Sequence, residues 1–169
     1  NSMLVNQNVM KRINYKQVIL HFVATCFFTS AAISFSRLYN IELLNSTIEN
    51  GVETVLKNPE KYGITITDIW KFTFYANISS LIGIFIAFTI SIIISLINRW
   101  SLLNCCIVLL ISLILNKLIS LDLYFIYPSS FTKNLALNFS ISGLLFLTIS
   151  GFIFFSSFSN SKINSNPKL

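Results

Sequence analysis

The chain reads as all-α: a polytopic membrane protein with a four-helix transmembrane bundle and one amphipathic helix in the long outer loop between the first and second spans. Two observations predict this. Four long uncharged stretches, separated by short charged ones, run through the 169 residues. Only 11% of the residues are charged and 54% are hydrophobic, whereas a soluble domain carries about 25% charged residues. A chain this short still exposes much of its surface, so the apolar surplus has to face lipid. The whole chain, 1–169, reads as a single membrane domain.

A helix needs about 20 apolar residues to cross the hydrocarbon core. The spacing predicts spans over residues 17–36, 72–98, 101–121 and 134–158. Basic residues bound them: Lys16 and Arg37, Lys71 and Arg99, and Lys133 and Lys162. Barrel strands would alternate apolar and polar residues, and these stretches do not. The first stretch has no small-residue cleavage site followed by a polar mature domain, so it is expected to be a retained span.

Orientation follows from the flanks. The N-terminal segment, the turn between the second and third spans, and the C-terminal segment hold six basic residues (Lys11, Arg12, Lys16, Arg99, Lys162, Lys168) and no acidic ones. Counted by Lys and Arg alone the two sides are close, but the dense cluster before the first span places both termini in the cytoplasm. The expected location is the inner, cytoplasmic membrane or another cell membrane. Trp70, Trp100, Tyr15, Tyr75, Tyr124 and Tyr127 fall near the expected interfaces, where an aromatic belt belongs. The net charge of +6 is no nucleic-acid signal, because the basic residues are scattered and form no run.

The outer loop, 37–71, contains Ile41, Leu44, Ile48, Val52 and Val55 at three- and four-residue spacing, one face of a helix. Ser46-Thr47-Ile48-Glu49 fits a capping box and Asn58-Pro59 a helix end. The prediction is a surface helix over about 47–57, either lying on the membrane or covering the mouth of the bundle. Thr67 or Asp68 is expected to cap the second span.

Without water, helices associate through close packing of small residues and interhelical hydrogen bonds. Helical periodicity puts small and polar residues on one face of each span. These are His21, Thr25, Thr29, Ala32 and Ser36 in the first, and Ala76, Ser80, Gly83, Ala87 and Ser91 in the second. The third has Ser101, Cys105, Ser112 and Asn116; the fourth has Ala136, Ser140, Gly143, Ser150 and Gly151. The opposite faces are Ile, Leu and Phe. The predicted helix-packing residues are therefore His21, Thr25, Ala76, Ser80, Gly83, Ala87, Ser140, Gly143 and Gly151. A water-filled path lined by these stripes is the alternative.

Lys117 and Asp122 are the charges within the apolar part of a span, and an intramembrane charge is a functional hypothesis by default. Lys117 is about 25 Å from Trp100 along a helix, so its ammonium can snorkel to the outer surface. With Asn116 and Asn77 the pair forms the candidate ligand-binding cluster. His21 and Cys105 share a depth near the opposite boundary. The chain has one histidine, too few ligands for a metal, so no metal site and no cofactor are expected; an interhelical hydrogen bond suits His21 better. The three cysteines, Cys26, Cys105 and Cys106, all lie in apolar stretches and form no disulfide framework. The Asn-x-Ser/Thr matches at Asn45, Asn77 and Asn138 are the chance yield of an Asn- and Ser-rich chain.

No Gly-rich phosphate loop, HExxH, CxxC or Ser/His/Asp set is present, and no family motif is matched residue by residue. Catalysis needs ionisable groups converging at one depth; the chain offers no catalytic residues of that kind. The function the sequence favours is a non-enzymatic accessory or interaction subunit that binds another membrane protein or a lipid. One special case is a protector that recognises a toxin's helices within the bilayer. The alternative is a small transporter or channel acting as a homo-oligomer; the third reading is a lipid-modifying or redox membrane subunit. The expected partners are the bilayer itself and a membrane protein or a second copy, with no nucleic acid.

Overall fold

The computed structural model describes residues 13–116 and 134–164, with side chains to residue 157. Among the described residues there is no strand. Helix α1, Tyr15–Arg37, is capped by Asn14, whose side chain accepts the Gln17 N–H at 3.2 Å. A 3-10 turn, Leu38–Asn40, carries the chain into α2, Ile41–Asn50. Helix α3 is Val52–Lys57, and a second 3-10 turn over Pro59–Tyr62 leads to α4, Ile66–Ile97. Helix α5 is Leu102–Ile114 and α6 is Leu135–Asn164.

Among the described residues, three helical segments are long and apolar enough to cross a membrane: Tyr15–Asn50, Ile66–Ile97 and Leu135–Ser157. The exposure pattern agrees with a lipid surround. The buried positions of the bundle include Gln17, His21, Thr25, Thr29, Ser80, Ser91, Ser95, Asn104, Ser112 and Ser150. Its exposed positions include Ile82, Phe85, Ile93, Leu110, Leu144, Phe152 and Phe155. Such an arrangement exposes apolar surface to the solvent, which is stable only where the solvent is itself apolar.

The third expected span, 101–121, is helical over Leu102–Ile114, and its remainder from residue 117 lies outside the described residues. The second span starts six residues earlier than its apolar stretch, because Thr65, rather than Thr67 or Asp68, is the N-cap. Its hydroxyl accepts the Asp68 N–H while the Asp68 carboxylate accepts the Thr65 N–H at 3.0 Å, a complete capping box.

The outer loop also departs from a single 47–57 helix. The helix begins at Ile41, so Ser46 sits in its interior and its carbonyl accepts from Asn50 rather than capping. Gly51 then breaks it: a φ of 85° with ψ of 138° is backbone space that only glycine enters freely. The break folds α3 back, so Leu43, Val55 and Ile64 bury against one another with Tyr62, Ile69 and Phe72 beside them. Ile48 and Val52 stay exposed. The apolar face thus covers its own hairpin in part.

Helix α1 is the centre of the bundle. It packs along α6 and α4 and, over a shorter length, along α5, while α4 and α6 scarcely meet. Gly83 lets α4 approach closely: a Cβ there would stand 3.0 Å from the Thr29 Cα. Ala24, Ala87, Ile94 and Phe154 form one buried cluster; Ala31, Ile33 and Phe146 form another.

The α4–α5 turn is a Schellman closure. Arg99 N–H donates to Leu96 O at 3.2 Å and Trp100 N–H to Ser95 O at 2.8 Å. The left-handed position that glycine usually takes is filled by Arg99, at φ 54°. Trp100 packs on the cluster containing Ile94, the apolar contact that accompanies this motif.

Candidate functional site

A buried polar network joins α1, α4, α5 and α6 at the end where α4 turns into α5. The Asn104 amide donates to Gln17 Oε1 at 2.7 Å, and the Gln17 amide donates to Ser95 Oγ at 2.7 Å. Ser95 Oγ lies 3.1 Å from Cys105 Sγ, and Ser91 Oγ donates to the same sulfur at 3.3 Å. His21 closes the network, with Nδ1 on Ser91 Oγ at 2.5 Å and Nε2 on Ser157 Oγ at 3.0 Å. Asn104 Oδ1 also accepts the Asn14 N–H at 3.2 Å.

The proton directions are consistent throughout. With the Ser91 proton on Cys105, His21 Nδ1 donates to Ser91, and Nε2 shares a hydrogen bond with Ser157. Every side chain in the network is at most 2% exposed. The ring of His21 stacks edge-on to Phe154, with centroids 5.5 Å apart, and lies 6.2 Å from Trp100. Buried polar groups fully satisfied by one another fix helix register and orientation.

The polar seam continues toward the other end of the bundle. Ser150 Oγ donates to the Ala24 carbonyl at 2.8 Å, and Thr25 Oγ1 to the His21 carbonyl at 2.7 Å. Ser80 Oγ donates to Asn116 Oδ1. Between these levels the Thr29 and Ser112 hydroxyls are buried without a hydrogen-bond partner. At the far end of α1, the Arg37 guanidinium lies over the Phe139 ring, 5.6 Å from its centroid.

The predicted positions separate into groups. His21 and Thr25 lie in the seam, and Ser80, Gly83, Ala87 and Gly143 are buried. Ala76 and Ser140 are half-buried, and the Ser140 hydroxyl is spent on its own helix, at Ala136 O. Gly151 is exposed, with nothing within 4 Å of where its Cβ would be. Of the candidate ligand cluster, Lys117 and Asp122 lie outside the described residues. Asn116 bonds Ser80, while Asn77 is exposed and donates to its own Thr73 carbonyl at 2.9 Å. The structure does not bring Asn77 and Asn116 together in one hydrogen-bonded set. Among the described residues no group of three His, Cys, Asp or Glu could hold a metal.

Gln17, Ser95, Asn104 and Ser157 are network members that the stripe argument did not single out. Gln17 and Ser157 lie where apolar stretches begin and end, positions that read as boundary residues. The usable signal was a shared depth: Gln17, His21 and Asn104 all fall within two turns of the same membrane boundary.

Because α4 and α6 diverge, a groove of about 420 Å³ opens between them. Phe28, Ile90, Ile94, Leu147, Phe154 and Phe155 wall it, with Ser150 and Gly151 as its small residues. No protein-family model, curated protein or solved structure matches this chain.

Proposed function

We propose that the chain is a non-enzymatic membrane accessory subunit that binds a second membrane component, a membrane protein or a lipid, at its lipid-facing surface. In this reading it is a single four-span domain with both termini on the cytoplasmic face of a cell membrane. Residues 101–121 supply enough apolar sequence for the remaining span. The two helices of the outer loop then lie on the opposite face.

The observation that carries the reading is the α4–α6 groove. The polar groups of the bundle are largely bonded to one another, so they hold the helices together rather than present themselves to a substrate. Among the described residues, the groove is an apolar concavity left open, and in this reading it faces the bilayer. A toxin-protector role is one form of this reading and rests on architecture alone. The test is native mass spectrometry of the protein extracted gently from its own membranes. A defined complex or a tightly retained lipid is expected. Repeated isolation of the bare chain would remove the proposal.

A second reading, a small oligomeric transporter or channel, draws on the seam between α1, α4 and α5. The unpartnered Thr29 and Ser112 hydroxyls are sites where water would be held. Liposome flux above background for an ion or small solute, reduced by Thr29→Val and Ser112→Ala, would favour it over the accessory role.

A further inference from the structure

We propose that the α4–α6 groove holds one acyl chain of an anionic phospholipid, with its phosphate at Arg99. The inference rests on the accessory reading and names the component that this surface binds.

Size selects a chain over a helix. The groove offers about 420 Å³. From Leu147 to Phe155 its wall on α6 runs about 12 Å, and a helix of that length, about 10 Å across, fills roughly 900 Å³. Helix docking in lipid also needs small residues along the contact. Here Phe28, Phe154 and Phe155 make the walls irregular, and only Ser150 and Gly151 are small. A flexible hydrocarbon chain fits such a surface, whereas a helix backbone cannot come close.

Charge selects the headgroup. Filling an apolar groove with one lipid tail rather than another gains little, because the bilayer is as apolar as the groove. Discrimination has to come from the ends. Ile94 lines the groove, and five residues further on Arg99 stands exposed in the turn, next to Trp100, which packs with Ile94 and Phe154. The sequence flanks at this end hold six basic residues and no acidic one. Basic positions at the mouth of an interhelical pocket bind anionic headgroups, each cation near the surface contributing about fivefold in affinity.

The test uses the full chain in nanodiscs of equal phosphatidylcholine and phosphatidylglycerol, read by native mass spectrometry of retained lipid. One phosphatidylglycerol per chain is expected to persist in preference to phosphatidylcholine. Arg99→Gly should lower that preference about fivefold. At φ 54° glycine suits the turn, so the variant keeps its thermal stability. Gly151→Leu should abolish retention of either lipid at unchanged helicity, since nothing lies within 4 Å of that Cβ position. Retention of the two lipids in proportion to the mixture overturns the proposal, as does undiminished retention in Gly151→Leu. A protein partner crosslinked through position 151 would overturn the lipid assignment and leave the accessory reading standing. A bare chain in nanodiscs and in native extracts would remove both.

Discussion

Asn104 donates its side-chain amide to Gln17 Oε1 across 2.7 Å, joining α5 to α1 over 87 residues of sequence. Both side chains are at most 2% exposed, and Gln17 passes the connection on to Ser95 of α4. This bond, with those from Ser91 and Ser95 to Cys105, ties α5 to the rest of the bundle. Gln17→Leu and Asn104→Leu should each lower stability by about 1–2 kcal/mol. The double variant should lose less than the sum, by a coupling of about 1 kcal/mol. Steric-trap or detergent unfolding of the four proteins measures the cycle. Strict additivity would mean the bond contributes nothing to the folded state.

Three glycines that share a helical periodicity differ in what surrounds them, and their alanine variants should rank accordingly. A Cβ on Gly83 meets the Thr29 Cα at 3.0 Å, and backbone cannot move aside without separating α1 from α4. Gly83→Ala should therefore cost about 1–3 kcal/mol. At Gly143 the obstacle is the Phe35 ring, 2.8 Å away, a side chain that can swing, so the loss should be smaller. Gly151 has open space around it, and alanine there should gain up to about 1 kcal/mol from helix propensity. The same unfolding assay gives the order, and a Gly151→Ala variant less stable than Gly83→Ala would contradict it.

Those glycines also mark the limit of what sequence periodicity tells. Ser80, Gly83, Ala87 and Ser91 share a face by spacing, and all are buried. Gly151 continues the α6 face of Ser140 and Gly143, yet it lies on the groove, because α6 follows α1 and diverges from α4. Periodicity gives a face, not the crossing angle that decides how far along the face contact lasts. Likewise the spacing of Ile41, Leu44, Ile48, Val52 and Val55 was legible as one helical face. The break at Gly51 was not, since an isolated glycine inside a helical pattern is tolerated at a modest cost and does not by itself end the helix. The membrane character was plain from composition, whereas the network around Gln17 was not. Pairing between side chains 70 to 136 residues apart, as in His21–Ser91 and His21–Ser157, depends on helix rotation and depth, which no single stretch encodes.

His21 makes two kinds of contact, and substitutions can separate them. Its nitrogens bond Ser91 of α4 and Ser157 of α6, and its ring packs edge-on against Phe154 and near Trp100. His21→Phe keeps the ring contacts and leaves the Ser157 hydroxyl without its ring partner, while Ser91 retains Cys105. That variant should lose about 1–2 kcal/mol. His21→Ala removes the ring as well and opens a cavity against Phe154, so its loss should reach about 2–4 kcal/mol. Because the bonds connect α1 to both α4 and α6, either variant should speed amide exchange at the ends of α4 and α6 near Ser91 and Ser157. Exchange near Gly83 and Gly143, held by close packing, should remain slow. Equal acceleration at both levels would show that His21 supports the whole bundle by packing, and that the hydrogen bonds to Ser91 and Ser157 do not set the local register.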